Sequence, residues 1–126
     1  MFKSAFSSFS VKDLKQAKDF YSNTLGLEVK EDEMGLHIGL PGGTEVFVYL
    51  KDHEAATYTV LNFLVGNIDE AVDALVAKGI VFEQYDFPDF KTDQKGIVRS
   101  PSPDKGPSIA WFKDPSGNIL SVIQDK

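Results

Sequence analysis

One pattern occurs twice in this chain, and a chain that repeats a unit of this kind is built from two copies of one module. The first copy is FSSFSVKDLKQAKDFYSNTLGLEV, residues 6–29, and the second is VLNFLVGNIDEAVDALVAKGIVFE, residues 60–83. Each opens with apolar residues at a period of two, Phe9 and Val11 in one and Leu61, Phe63 and Val65 in the other. That period marks a strand with one buried face. Each then reaches a helix-capping residue, Asp13 or Asn67, whose side-chain oxygen can accept a hydrogen bond from the free N–H groups of the first turn. Glu70 stands three residues after Asn67, the spacing of a capping box. Leu14, Ala17 and Tyr21, then Ile68, Ala71 and Leu75, fall on one face of the helix that follows. Gly26 and Gly79 close the two helices, where a residue without a Cβ is favoured.

Further strands complete each copy. Residues 36–40 (LHIGL) and 44–50 (TEVFVYL) flank Pro41-Gly42-Gly43, a hairpin loop by composition. In the second copy SIAWF and NILSVI flank Asp114-Pro115-Ser116-Gly117-Asn118. Pro115 presets the first corner of that turn, and Gly117 and Asn118 tolerate the left-handed corner after it. Matching Asp13 to Asn67 gives an offset of ~54 residues and matching Gly43 to Gly117 gives ~74, so the second copy holds roughly 20 additional residues. They lie between Gly79 and Ser108, in a stretch rich in Pro, Asp, Gly and Ser that carries Tyr85, Phe87 and Phe90. A connection of that length in a compact domain is more often functional than not, and it reads as a candidate lid. The expected fold class is α+β, with two βαβββ modules, residues 1–52 and 56–126, in a single domain over residues 1–126.

Composition removes several function classes. With 126 residues, 42% of them hydrophobic, the chain can bury a core of its own. It has no cysteine, which excludes disulfides, thiolate nucleophiles and Cys-based metal sites. Its net charge of −6 argues against a nucleic-acid partner, because phosphate binding needs clustered Lys and Arg. No apolar run approaches the ~18 residues that span a membrane, so no membrane association and a cytoplasmic location are expected.

The closing hairpin, WFKDPSGNILSVIQ, has a more specific wording: an aromatic, any residue, then Asp-Pro-x-Gly-Asn running into a strand. Together with SVKDLKQAKDFYSNTLGLEV near the N-terminus, it resembles the vicinal oxygen chelate superfamily, which includes glyoxalase I, extradiol dioxygenases, and the bleomycin and fosfomycin resistance proteins. The resemblance extends over residues 6–124. It implies that the two modules form a curved mixed sheet around a cup-shaped cavity, a glyoxalase/bleomycin resistance-like fold. In metal-binding members, His, Gln or Glu ligands stand seven residues before the residue capping each helix and on the strand after each hairpin turn. Carried onto this chain, those positions are Phe6, Val60, Phe47 and Ser121. Phenylalanine and valine offer no donor to a divalent ion, so no metal and no cofactor are expected there. The resemblance then points to the metal-free, bleomycin-resistance branch: a homodimer that binds a small organic ligand.

Alternation sorts the side chains between the helix-packed face of each sheet and the cup. Phe9, Val11, Leu36, Ile38, Leu40, Val46, Val48, Leu50, Leu61, Phe63, Val65, Leu120 and Val122 suit the packed face. Phe6, Ser8, His37, Glu45, Phe47, Tyr49, Val60, Asn62, Trp111 and Ser121 are left for the cup, as ligand-binding candidates. Arg99, the only arginine, stands beside the lid, where its guanidinium suits a bidentate grip on a carboxylate or phosphate. His37, Glu45 and Tyr49 are candidates for acid–base chemistry, and His37 with Glu45 lies on one face of a hairpin. His53 reads as a surface histidine in the linker. The leading expectation is a binder of an unidentified organic molecule in an apolar cup. The alternatives are a metal-independent isomerase or lyase, a metal-dependent lyase or dioxygenase with non-standard ligands, and an immunity-type binder of an antibiotic.

Overall fold

The structure, a computed structural model, describes residues 1–125, the side chain of Pro103 excepted. The chain divides into two compact units. One comprises Met1–Ala55 with Asp114–Gly117, and the other Ala56–Lys113 with the chain from Asn118 onward. No helix among the described residues is long and apolar enough to cross a membrane.

In the first unit, β1 (Ser7–Val11) leads into α1 (Leu14–Asp19), followed by β2 (Glu28–Asp32), β3 (Gly35–Gly39) and β4 (Glu45–Leu50). The sheet order is β1-β4-β3-β2, with β1 parallel to β4 and the other pairs antiparallel. Asp13 caps α1 by accepting from the Gln16 N–H at 2.9 Å. The helix then widens into a π-helical turn, Phe20–Thr24, in which the Leu25 N–H reaches back to the Phe20 carbonyl. Phe20 and Tyr21 are both buried and meet edge to face at 5.1 Å. Val11, Leu36, Ile38, Val46 and Val48 are buried, as alternation requires. Leu50 departs from the expectation. It ends β4 and stays 58% exposed, because the strand outruns the surface that its earlier residues bury.

The second unit repeats the plan with an insertion. It contains β5 (Thr59–Leu64), α2 (Ile68–Ala77), β6 (Asp86–Phe87), β7 (Phe90–Lys91), β8 (Ile97–Val98), β9 (Ser108–Lys113) and β10 (Ile119–Gln124). The sheet order is β5-β10-β9-β8, again with one parallel pair, β5 with β10. Thus β8 occupies the sheet position that β2 holds in the first unit. Asn67 caps α2 by accepting from the Glu70 N–H at 3.0 Å. Leu120, Val122, Ala110 and Phe112 are buried, whereas Leu61, Phe63 and Val65 are only half-buried. The inserted segment is no plain loop: β6 and β7 pair as a two-stranded hairpin and β8 joins the main sheet.

The turn at Asp114–Gly117 belongs to the first unit although the strands on either side belong to the second. The reason is polar. Tyr21 donates from its hydroxyl to Asp114 Oδ2 at 2.7 Å, Ser116 Oγ accepts from the Lys12 N–H at 3.0 Å, and His53 Nε2 donates to the Ser116 carbonyl at 3.1 Å. Asp114 and Ser116 are buried, where an unmet polar group would cost about 1–3 kcal/mol, so these bonds hold the turn in place.

Candidate functional site

Across the first unit's sheet, cross-strand partners place Ser8, Phe47, His37 and Lys30 in one row on the face away from α1. Glu45, Gly39 and Glu28 form the next row. Beside them opens a cleft of about 800 Å³, bounded by residues 4–6, by Gly26 to Lys30, and by the β3–β4 hairpin. Phe6, Leu27, Leu40 and Pro41 supply its apolar wall, and Glu28, Lys30, His37 and Glu45 its charged points. Gly39 keeps the floor open. A Cβ there would meet only Glu28 atoms at 3.7 Å, an ordinary contact.

His37 has a carboxylate facing each of its ring nitrogens. Its Nε2 lies 2.9 Å from Asp32 Oδ2, and its Nδ1 lies 3.6 Å from Glu45 Oε1. A carboxylate only accepts, so Nε2 carries the proton of the neutral ring and its lone pair sits on Nδ1. Asp32 is itself held by the Met34 and Gly35 N–H groups at 2.8 and 3.2 Å, in the turn between β2 and β3. The Met34 N–H, followed by the His37 ring, keeps the Asp32 carboxyl below its usual range. In return the hydrogen bond that His37 donates to Asp32, with Glu45 adding to it, raises the His37 pKa above that of an ordinary histidine. Phe47 packs its ring 5.0 Å from the imidazole and stacks on Tyr49 at 6.0 Å. Sequence reasoning found the His37–Glu45 pair and missed Asp32. Its only signal was an Asp two residues before a Met-Gly corner, a common turn-forming arrangement.

The second unit offers a different surface. Asn62, Ser121 and Trp111 are in register across β5, β10 and β9, on the face opposite Leu120 and Phe112. Ser121 is fully buried and donates from its hydroxyl to Asn62 Oδ1 at 2.5 Å. Trp111 Nε1 donates to Thr59 Oγ1 at 3.1 Å, and Val60 beside it is half-buried. The inserted hairpin brings Phe90 to 5.1 Å and Tyr85 to 5.9 Å from the Trp111 ring, with Phe87 57% exposed at its tip.

Two sequence readings are altered by these contacts. Arg99 is bidentate to Asp69 at 2.8 Å and reaches Asp93 from Nε at 2.7 Å, so its donors serve an internal brace between α2 and the inserted segment. A grip on a ligand carboxylate or phosphate would have to compete with these two carboxylates. Arg99, then Lys95, holds the Asp69 carboxyl well below the carboxylate range. His53 is half-buried rather than a free surface residue: Ser10 donates from Oγ to Nδ1 at 2.7 Å, and Nε2 donates to the Ser116 carbonyl. Only the folded turn brings Ser116 to it, and no spacing in the sequence announces that.

The profile of one family, described as the Glyoxalase/Bleomycin resistance protein/Dioxygenase superfamily, matches residues 6–122. The chain belongs to this superfamily. Solved members of similar fold include one from Sphaerobacter thermophilus, 25% identical with a TM-score of 0.68, covering 96% of this chain and 97% of that one. The fosfomycin resistance protein FosX from Listeria monocytogenes is 15% identical with a TM-score of 0.72, covering 100% and 95%. TnmS3, an antibiotic-binding protein from Streptomyces sp. CB03234, is 22% identical with a TM-score of 0.66, covering 100% and 99%. No curated protein matches the sequence.

The superfamily's metal positions can be tested against the residues present. Phe6 is 64% exposed at the cleft's rim, Phe47 and Val60 are half-buried, and the Ser121 hydroxyl is bonded to Asn62. Two aromatic rings, an isopropyl group and one neutral hydroxyl do not make a donor set for a divalent ion. Asp32, His37 and Glu45 do not substitute for one, because the two carboxylates stand at opposite nitrogens of the ring and share no point. Among the described residues no group of three or more His, Asp or Glu is placed to hold a metal ion.

Proposed function

We propose that this superfamily member binds an organic small molecule, without a metal at the superfamily's usual ligand positions, and that the first unit's cleft is a principal part of its binding surface. The observation that carries the reading is the cleft itself: about 800 Å³ of open space beside Phe6, Leu40 and Pro41, with four charged side chains at its edge. Apolar walls supply burial and a few polar groups fix orientation, which is how small-molecule sites are made. Ser8, Phe47, Tyr49, Val60, Asn62, Trp111 and Ser121 remain candidates for further ligand contact. A cytoplasmic location belongs to the same proposal.

Gly39→Leu tests it. The Cβ makes only an ordinary contact with Glu28, and the rest of the side chain would take up part of the cleft. Native mass spectrometry of protein recovered from a cell extract is expected to show a small molecule retained by the wild type and lost from this variant. Equal retention by both refutes the cleft as the site. Elemental analysis finding about one Ni, Zn, Fe or Mn per chain, lost on Ser121→Ala, refutes the metal-free reading.

A further inference from the structure

We infer that the cleft takes a basic ligand, an ammonium or amidinium joined to an apolar body, and that this cation exchanges for the proton of His37. The inference rests on the binding reading above and adds the chemical class of the ligand and the control of its binding.

The argument begins with the two carboxylates around one imidazole. When His37 is charged, both ring N–H groups are donors, and Asp32 at 2.9 Å and Glu45 at 3.6 Å each face positive charge. When the ring is neutral, Asp32 keeps its bond through Nε2–H. Glu45 then faces only the Nδ1 lone pair. A carboxylate and a nitrogen lone pair side by side form an acceptor pair, and what satisfies such a pair is a cation bearing N–H groups. Both groups border the cleft, with the Phe6 and Leu40 side chains nearby to cover the ligand's apolar part.

The remaining charges around His37 agree with this assignment. From β2 come Asp32, Lys30 and Glu28; from β4 comes Glu45; the partner across β4 from β1 is Ser8, uncharged. Lys30, directly across from His37, is the one fixed cation among the described residues that line the cleft, and it would repel the ligand. Its ammonium lies 3.5 Å from Glu28 Oε1, which offsets it. Asp32 already accepts from two turn N–H groups and from His37, so Glu45 is the carboxylate with more capacity left for the ligand.

Linkage gives the sign. A cation seated at Glu45 opposes the charge on His37, so binding expels a proton, and protonation must expel the ligand equally. Affinity therefore rises with pH until His37 is neutral and is flat above that. Below the His37 midpoint the gain approaches about tenfold per pH unit, the limit for one proton.

Benzamidine is the probe, with neutral benzamide of the same shape beside it, both titrated calorimetrically into the full chain from about pH 5 to about pH 8, where histidine changes charge. Benzamidine is expected to tighten with pH and to release up to about one proton, seen as a dependence of the heat on buffer ionisation. His37→Gln is expected to bind benzamidine with no pH dependence, and Glu45→Gln to bind it about tenfold more weakly at the upper pH. A pH dependence that survives His37→Gln overturns the proton exchange. Benzamide binding as tightly as benzamidine overturns the ligand class, and if Gly39→Leu abolishes that binding, the cleft reading stands without this inference. No benzamidine binding at any pH also overturns the class.

Discussion

The Tyr21 hydroxyl and the Asp114 carboxylate meet at 2.7 Å with almost no exposure on either side. Burial, then the charge of Asp114, pushes the phenol's pKa well above 10.0. A raised tyrosine pKa means that the fold holds the proton more tightly than the unfolded chain does. Its contribution to stability is complete below pH 10 and is lost as the pH climbs toward the folded value. Tyr21→Phe is expected to lose about 2 kcal/mol in urea unfolding near neutrality, since a buried charged acceptor loses a donor. The same variant should also lack the Tyr21-linked decline expected of the wild type above pH 10. A second residue-scale expectation concerns His37. Its midpoint, read from imidazole proton resonances, should lie above 6.5 and fall in Asp32→Asn. The associated stability is present below 6.5 and disappears as the pH rises through the folded midpoint.

At the scale of elements, two glycines of β3 make opposite demands. Gly35 has φ +150°, and a Cβ there would collide with the Val48 carbonyl oxygen, a backbone atom that cannot turn aside. Gly35→Ala is expected to cost about 3 kcal/mol or more, measured as a drop in the urea midpoint, whereas Gly39→Leu should fold with little loss. The sequence shows two glycines four residues apart and cannot rank them, because the difference lies in which backbone passes beneath them. What the sequence does disclose at this scale is local. The caps at Asp13 and Asn67, the alternation through Val46 and Val48, and the turn at Pro115 all depend on residues within a few positions of one another. What it leaves out depends on closure. Asp32 meets His37 only once β2 and β3 have paired, Ser116 meets His53 only once the turn is seated, and Arg99 meets Asp69 across an insertion that itself forms strands. The candidate site is of this second kind: the sequence places His37 and Glu45 on one hairpin face, but not the Asp32 carboxylate that holds the ring.

At the scale of the whole molecule, ten large hydrophobic side chains among the described residues stay more than half exposed, including Met1, Phe2, Phe6, Met34 and Leu50 in the first unit. Scattered singly, such residues are ordinary on a monomer. Here they coincide with a chain of net charge −6, for which self-association must overcome repulsion between like copies. A homodimer is therefore expected to have a particular signature. Apolar burial drives it and long-range charge opposes it, so added salt should favour it until screening is complete. Raising ionic strength from about 0.01 M to about 0.15 M shortens the screening length from about 30 Å to about 8 Å, enough to mute repulsion between surfaces without touching apolar contact. Light scattering is expected to give twice the 13.9 kDa of one chain at micromolar concentration, with dissociation on dilution deferred by salt. Leu50→Glu, which places another negative charge at an exposed apolar position, should move that equilibrium toward monomer. A mass of one chain at every salt concentration would remove the dimer, and a dimer that salt weakens would show that ion pairs, not apolar burial, hold it.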